Sequence, residues 1–185
     1  MGYTTYFDGE FRLSPTLTAE HAAYLTAFAS TRRMARDATA TTLRSDPLRA
    51  ATGLPVGLEG GYFVSEEGFR GQGLGSIGTG SYPDVIDHNH PPSGQPGLWC
   101  QWIPTDDGAA IVWDENEKFG NYIEWLQYII EHFLTPWGYA LNGEVTWNGE
   151  EPDDFGKISV VSSSVVCNRV MIHKGYRSFR PPVDA

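Results

Sequence analysis

An α+β fold, an antiparallel sheet with two helices on one face, is what this sequence predicts, and three patterns predict it. Residues 3–13, 98–115 and 141–161 alternate apolar and polar side chains, the period of a half-buried strand. Residues 19–36 and 119–133 repeat apolar side chains every three to four positions, the period of one helix face. The long stretch 37–97, rich in glycine, follows neither period.

The elements follow in order. Tyr3, Thr5 and Phe7 alternate with Thr4, Tyr6 and Asp8, and Phe11 and Leu13 continue the pattern after Gly9. This reads as a strand with a bulge or bend at Gly9. Pro15 ends it. Thr18 is placed to cap a helix, because its hydroxyl can accept from a first-turn amide, with Glu20 near the positive helix end. Leu25, Phe28 and Arg32 then mark one face of a helix to about residue 36. Within 37–97 only one helical turn at 47–51 and a short strand at 62–64 are expected. The aromatics Tyr62, Phe63, Phe69 and Tyr82 argue that this insertion is an ordered lid or flap.

LWCQWIP (98–104) and AAIVWDE (109–115) read as two strands joined by the turn TDDG. Asp114 and Glu117 resemble a capping box before the second helix. Its apolar stripe is Phe119, Tyr122, Ile123, Leu126, Ile130 and Phe133, and Pro136 and Gly138 stop it. LNGEVTW and GKISVV form a closing hairpin around Glu150, Glu151, Asp153 and Asp154, with Val145, Trp147, Ile158 and Val160 facing inward. The order β-α-β-β-α-β-β points to a ferredoxin-like sandwich with an extra strand. It makes one domain over 1–161 with an insertion at 37–97, and 162–185 is a basic C-terminal tail or extra strand.

Charge is unevenly distributed. The chain of 185 residues carries a net charge of -10, yet residues 101–156 hold twelve acids against Lys118 alone. Such a field repels nucleic-acid phosphates and anionic lipid and favours cations or basic protein surfaces. No segment has the roughly 18 apolar residues that a membrane span needs. The two cysteines, Cys100 and Cys167, and a start without the basic and apolar regions of a leader lead to the expectation of reduced thiols in the cytoplasm.

Each motif carries an ordinary reading beside the functional one. GLGSIG (73–78) matches G-x-G-x-x-G, but TGSYPD follows it where a helix N-terminus would have to hold a pyrophosphate. In DHNH (87–90) His88 and His90 have strand spacing for a metal, yet no third His or Cys lies near them in sequence, so a hydrogen-bonded lid segment is expected. Trp99 and Gln101 would face one side of a strand and Cys100 and Trp102 the other, giving an aromatic sheet face that the insertion can cover. Arg32 and Arg36 complement a helix C-terminus, or clamp an anionic ligand if the insertion folds back. Nothing marks a serine or cysteine nucleophile.

The stretches MGYTTYFDGEF, HPPSGQPGLWCQW and EWLQYIIEHFLTPWGYALNGEVTWNGEE together resemble a family of small bacterial and bacteriophage proteins with no assigned activity. The resemblance runs over about residues 1–161, and the more basic tail departs from it. It implies no catalytic residue, only a partner among host or phage components. The sequence therefore leads to a non-enzymatic binding protein without metal or cofactor. It would hold a small ligand under 37–97 through Tyr62, Tyr82, His88, Asn89, His90, Trp99, Gln101, Trp102, Arg32 and Arg36, or dock on a protein through its acidic face. A metal-dependent hydrolase using the acidic turn with His88 or His90, and a structural or assembly component that forms homo-oligomers, are the alternatives.

Overall fold

A computed structural model describes residues 3–64, 82–173 and 176–179 of the chain. It is a mixed α+β structure in two compact units: Thr18–Cys100, and the flanking segments Met1–Leu17 and Gln101–Ala185. The GLGSIG segment and Phe69 lie outside the described residues.

The flanking segments build an antiparallel sheet. Its strands are β1 (Tyr6–Ser14), β4 (Trp102–Pro104), β5 (Ala110–Trp113), β6 (Ala140–Asn148), β7 (Phe155–Val161), β8 (Ser164–His173) and β9 (Tyr176–Phe179), in the order β4-β5-β1-β6-β7-β8-β9. Residues 164–173 and 176–179, read from sequence as tail or extra strand, are thus two strands at one side of the sheet. At the opposite edge β4 is short and ends in Pro104, which offers no N–H to a further strand.

Alternation assigns the two faces of the sheet. Phe11, Leu141, Val145, Trp147, Ile158 and Val160 are buried, whereas Asp8, Arg12, Asn142, Glu144 and Thr146 are exposed. The inward set includes all four closing-hairpin residues expected from sequence, because a period of two leaves one register that buries them together. Gly9 pairs with Val145 with no shift in register, so of the bulge or bend expected there no bulge forms. Its φ is +114°, and a Cβ there would stand 2.6 Å from the Glu144 carbonyl oxygen. Glycine is needed for close approach of two backbones.

The helix against the inner face departs from its sequence reading. It runs as α4 over Tyr122–Ile129 and widens into a π-helical turn at Ile130–Leu134, where Thr135 N donates to Ile130 O at 2.9 Å. Asp114 does not cap it. That carboxylate accepts from Asn116 N instead, and Glu115, Lys118 and Asn121 take left-handed backbone conformations that postpone the helix. The extra residue in the π turn lets Trp125, Leu126, Ile129, Ile130, Phe133 and Leu134 all be buried. Phe119 packs ahead of the helix, with ring centroids 5.4 Å from Trp102 and 5.9 Å from Phe7.

The run Thr18–Cys100 holds α1 (Ala19–Ser30), α2 (Ala38–Thr41), α3 (Pro47–Ala51) and the two-stranded sheet β2 (Ala35–Arg36) with β3 (Val85–Asp87). Thr18 caps α1 as expected, accepting from His21 N. The helix stops at Ser30 rather than near residue 36, because Thr31 turns extended and its hydroxyl donates to Ala27 O at 2.7 Å. Beyond it the backbone finds partners outside the helix: Arg33 N donates to Leu98 O and Ala35 N to His90 O, each at 2.9 Å. The turn at 47–51 is α3, capped by Asp46. Residues 62–64 are not a strand. A 3₁₀ turn at Leu58–Gly60 leads into them, and the Phe63 amide donates to Gly60 O.

Candidate functional site

Eight of the ten residues singled out by sequence fall in the Thr18–Cys100 unit, and five of these gather around the turn that follows β3. Asp87 ends β3, and its carboxylate accepts from Asn89 N at 2.8 Å and meets His90 Nδ1 at 2.7 Å. The Asn89 amide bond, then the His90 contact, hold that carboxyl below the usual aspartate range. His88 and His90 therefore belong to a tight turn, not to a strand that would aim both rings to one side. Arg32, just past α1, donates from Nε to the His88 carbonyl at 3.0 Å. Its guanidinium carbon lies 5.9 Å from the centroid of the Trp99 ring. Arg32, His88 and Trp99 are half-buried, and Asn89 and His90 are exposed.

Arg36 has a different setting. It is 3% exposed, and its Nη1 meets Asp84 Oδ2 at 2.5 Å. Arg44 Nη1 binds the other oxygen of the same carboxylate at 2.9 Å. Arg36 lies over the Phe63 ring at 4.6 Å, and Arg44 over Tyr82 at 5.5 Å. Tyr82 packs against Met34 and Val85. Tyr62 accepts the Tyr24 hydroxyl on its carbonyl at 2.9 Å, and burial pushes its own phenol up.

The buried partners of the polar groups here are not legible in the sequence. Arg33, 2% exposed, donates to Gly61 O and Gln95 Oε1 and covers the Phe28 ring at 4.1 Å. Asp46 accepts from Arg49 N and Nε and from Val64 N. Asp46 before Pro47 is a recognisable capping signal, but nothing near Asp84 in sequence announces a partner 48 residues away.

Gln101 and Trp102 stand in the sheet unit. Gln101 donates from Nε2 to Glu117 O and accepts from Trp113 Nε1, each at 3.0 Å. Trp102 is buried among Phe7, Phe11 and Phe119, and its indole N–H donates to Tyr122 O. The same unit has an open cleft of about 770 Å³ along β1 and the β4–β5 turn, lined by Glu10, Arg12, Thr105, Asp106 and Asp107 among others. Arg12 is ion-paired to Glu10 at 2.8 Å. Asp107 accepts from Thr105 Oγ1 and Ala109 N, and those two bonds hold its carboxyl low.

The acidic turn between β6 and β7 is tied to the start of the chain. Tyr3 donates its hydroxyl to Asp154 Oδ2 at 2.5 Å, and Thr4 N donates to Glu150 Oε1 at 2.8 Å. Two of the four acids thus have structural work, while Glu151 and Asp153 are exposed. Among the described residues no group of three or more His, Cys, Asp or Glu side chains is placed to hold a metal ion. Both cysteines are free thiols. No described helix is long and apolar enough to cross a membrane.

Comparison with family models, with curated proteins and with solved structures finds no match to this chain.

Proposed function

We propose that this is a binding protein whose acidic sheet unit docks on a basic protein surface. The observation that carries the reading is the open cleft of about 770 Å³, whose lining includes Glu10, Asp106 and Asp107. Arg12, the basic residue of that cleft, is already paired to Glu10, which leaves the two aspartates as its excess charge. Twelve acids against one lysine in residues 101–156 extend the same sign over the unit. Complementary charge of this kind raises encounter rates and selects partners. The resemblance to bacterial and bacteriophage proteins makes a host or phage protein the partner class. The ferredoxin-like arrangement belongs to the same proposal. It is supported by the order β4-β5-β1-β6, in which the hairpin and the strand after α4 flank β1.

The test is fluorescence anisotropy with a labelled lysine-rich peptide. Binding is expected at about 50 mM salt and should weaken at least tenfold, as an order of magnitude, by about 300 mM. The pair Glu10→Gln and Asp106→Asn should weaken it further without changing the melting temperature. Absence of binding at low salt, or binding indifferent to both salt and substitutions, overturns the reading.

A further inference from the structure

Four other described arginines are ion-paired to carboxylates of the protein. Arg36 and Arg44 share Asp84, Arg49 meets Asp46, and Arg12 meets Glu10. Arg33 donates to Gly61 O and Gln95 Oε1 beside the Phe28 ring and, at 2% exposed, is closed to a ligand. Arg32 differs. It is half-buried, its Nε donates to the His88 carbonyl, and its guanidinium carbon lies 5.9 Å from the Trp99 ring centroid. Among the described residues neither Nη nitrogen of Arg32 meets a carboxylate. Asp87, one residue before His88, directs its two oxygens to Asn89 N and His90 Nδ1 instead.

We propose that Arg32 and Trp99 form an oxyanion-recognition site, one that takes a phosphate or carboxylate borne on an aromatic or other flat apolar group. The chemistry follows from the geometry. A guanidinium keeps its proton at any physiological pH, so partial burial leaves it charged and poorly hydrated. Burial acts on Arg32 in that sense, pressing its pKa down. An incoming oxyanion restores the lost interactions through two parallel N–H···O bonds, which the planar fork matches and an ammonium does not. The Nε bond to the His88 carbonyl already restrains the side chain, so less conformational freedom remains to be lost on binding. The half-buried Trp99 ring beside the guanidinium supplies a flat apolar surface for the group that carries the anion. This site shares no residue with the acidic cleft and has the opposite charge preference, so either can fail without the other.

The test uses the full chain labelled with ¹⁵N and titrated with phenyl phosphate, benzoate and inorganic phosphate, with benzyl alcohol as the uncharged aromatic. The Trp99 indole signal, assigned with Trp99→Phe, and the Arg32 Nε–H signal should shift saturably with phenyl phosphate, benzoate or both. Whichever responds names the source of the oxyanion. Arg32→Lys, which keeps the positive charge, should weaken that binding about tenfold. Trp99→Leu should reduce the preference for phenyl phosphate over inorganic phosphate. Unchanged dispersion of the other indole signals shows that each variant is folded. The proposal is overturned if neither aromatic anion gives a saturable shift in the unaltered protein, if Arg32→Lys binds equally well, or if benzyl alcohol binds as tightly as the anions.

Discussion

Asp84 is 2% exposed and carries two guanidiniums, the buried one of Arg36 and the half-exposed one of Arg44. Burial on its own would raise this carboxyl, but the attraction and hydrogen bonds of Arg36, with those of Arg44, outweigh it and hold it below the usual value. Burial presses Arg36 downward too, yet a guanidinium titrates so far above neutrality that the pair stays ionised. Asp84 therefore has a lower pKa folded than unfolded. Its contribution is complete above the unfolded value of about 3.9 and is lost as pH falls through the folded one. Asp84→Ala should cost about 3–5 kcal/mol at neutral pH, because it strands a buried charge. Urea midpoints measured from pH 5 down to pH 2 should fall more steeply for the unaltered protein than for Asp84→Asn. Parallel pH profiles for the two would contradict the assignment.

At the scale of elements, the closing hairpin depends on residues far from it in sequence. Tyr3 and Thr4 strap the β6–β7 turn through Asp154 and Glu150, and Glu151 N donates back to the Tyr3 hydroxyl. A Cβ at Gly149 would crowd the Tyr3 hydroxyl and the Asp154 carboxylate, so glycine there leaves room for the strap. Four acids placed on a turn repel one another, and fastening two of them to hydrogen-bond donors relieves part of that repulsion. Tyr3→Phe removes one fastening without changing shape. Amide exchange at Gly149 and Asp154, whose amides donate within the turn, should quicken in this variant while exchange in β1 and β6 stays as it was. Unaltered exchange in the turn would show that the strap bears no load.

For the whole molecule the dominant fact is a net charge of -10 on 185 residues. Self-repulsion of that sign destabilises the compact state, and salt screens it over about 10 Å at 0.1 M. Raising salt from about 10 to 200 mM should increase the melting temperature, a gain on the order of 1 kcal/mol corresponding to roughly 2–4 °C in a chain of this size. Calorimetry checks it. A melting temperature that falls with salt would mean that ion pairs such as Arg12–Glu10 and Lys157–Glu144 outweigh repulsion, contrary to the weak stabilisation expected of exposed pairs.

What the sequence by itself determined was whatever local chemistry controls. The period of two in LNGEVTW and GKISVV placed Val145, Trp147, Ile158 and Val160 in the core, Thr18 was found as the α1 cap, and the helical turn was found at 47–51. The ends of the helices escaped it. Thr31, the left-handed Asn121 and the π turn at 130–134 answer to packing partners, not to propensity. Of the candidate site, the residue types Arg32, His88 and Trp99 were legible, but their meeting was not, because 56 residues separate Arg32 from the carbonyl that holds it. Which arginines are answered by a carboxylate and which is left open is a matter of distance and burial. Only the folded chain sets those, by bringing Asp84 to Arg36 and Arg44 and leaving Arg32 beside an indole.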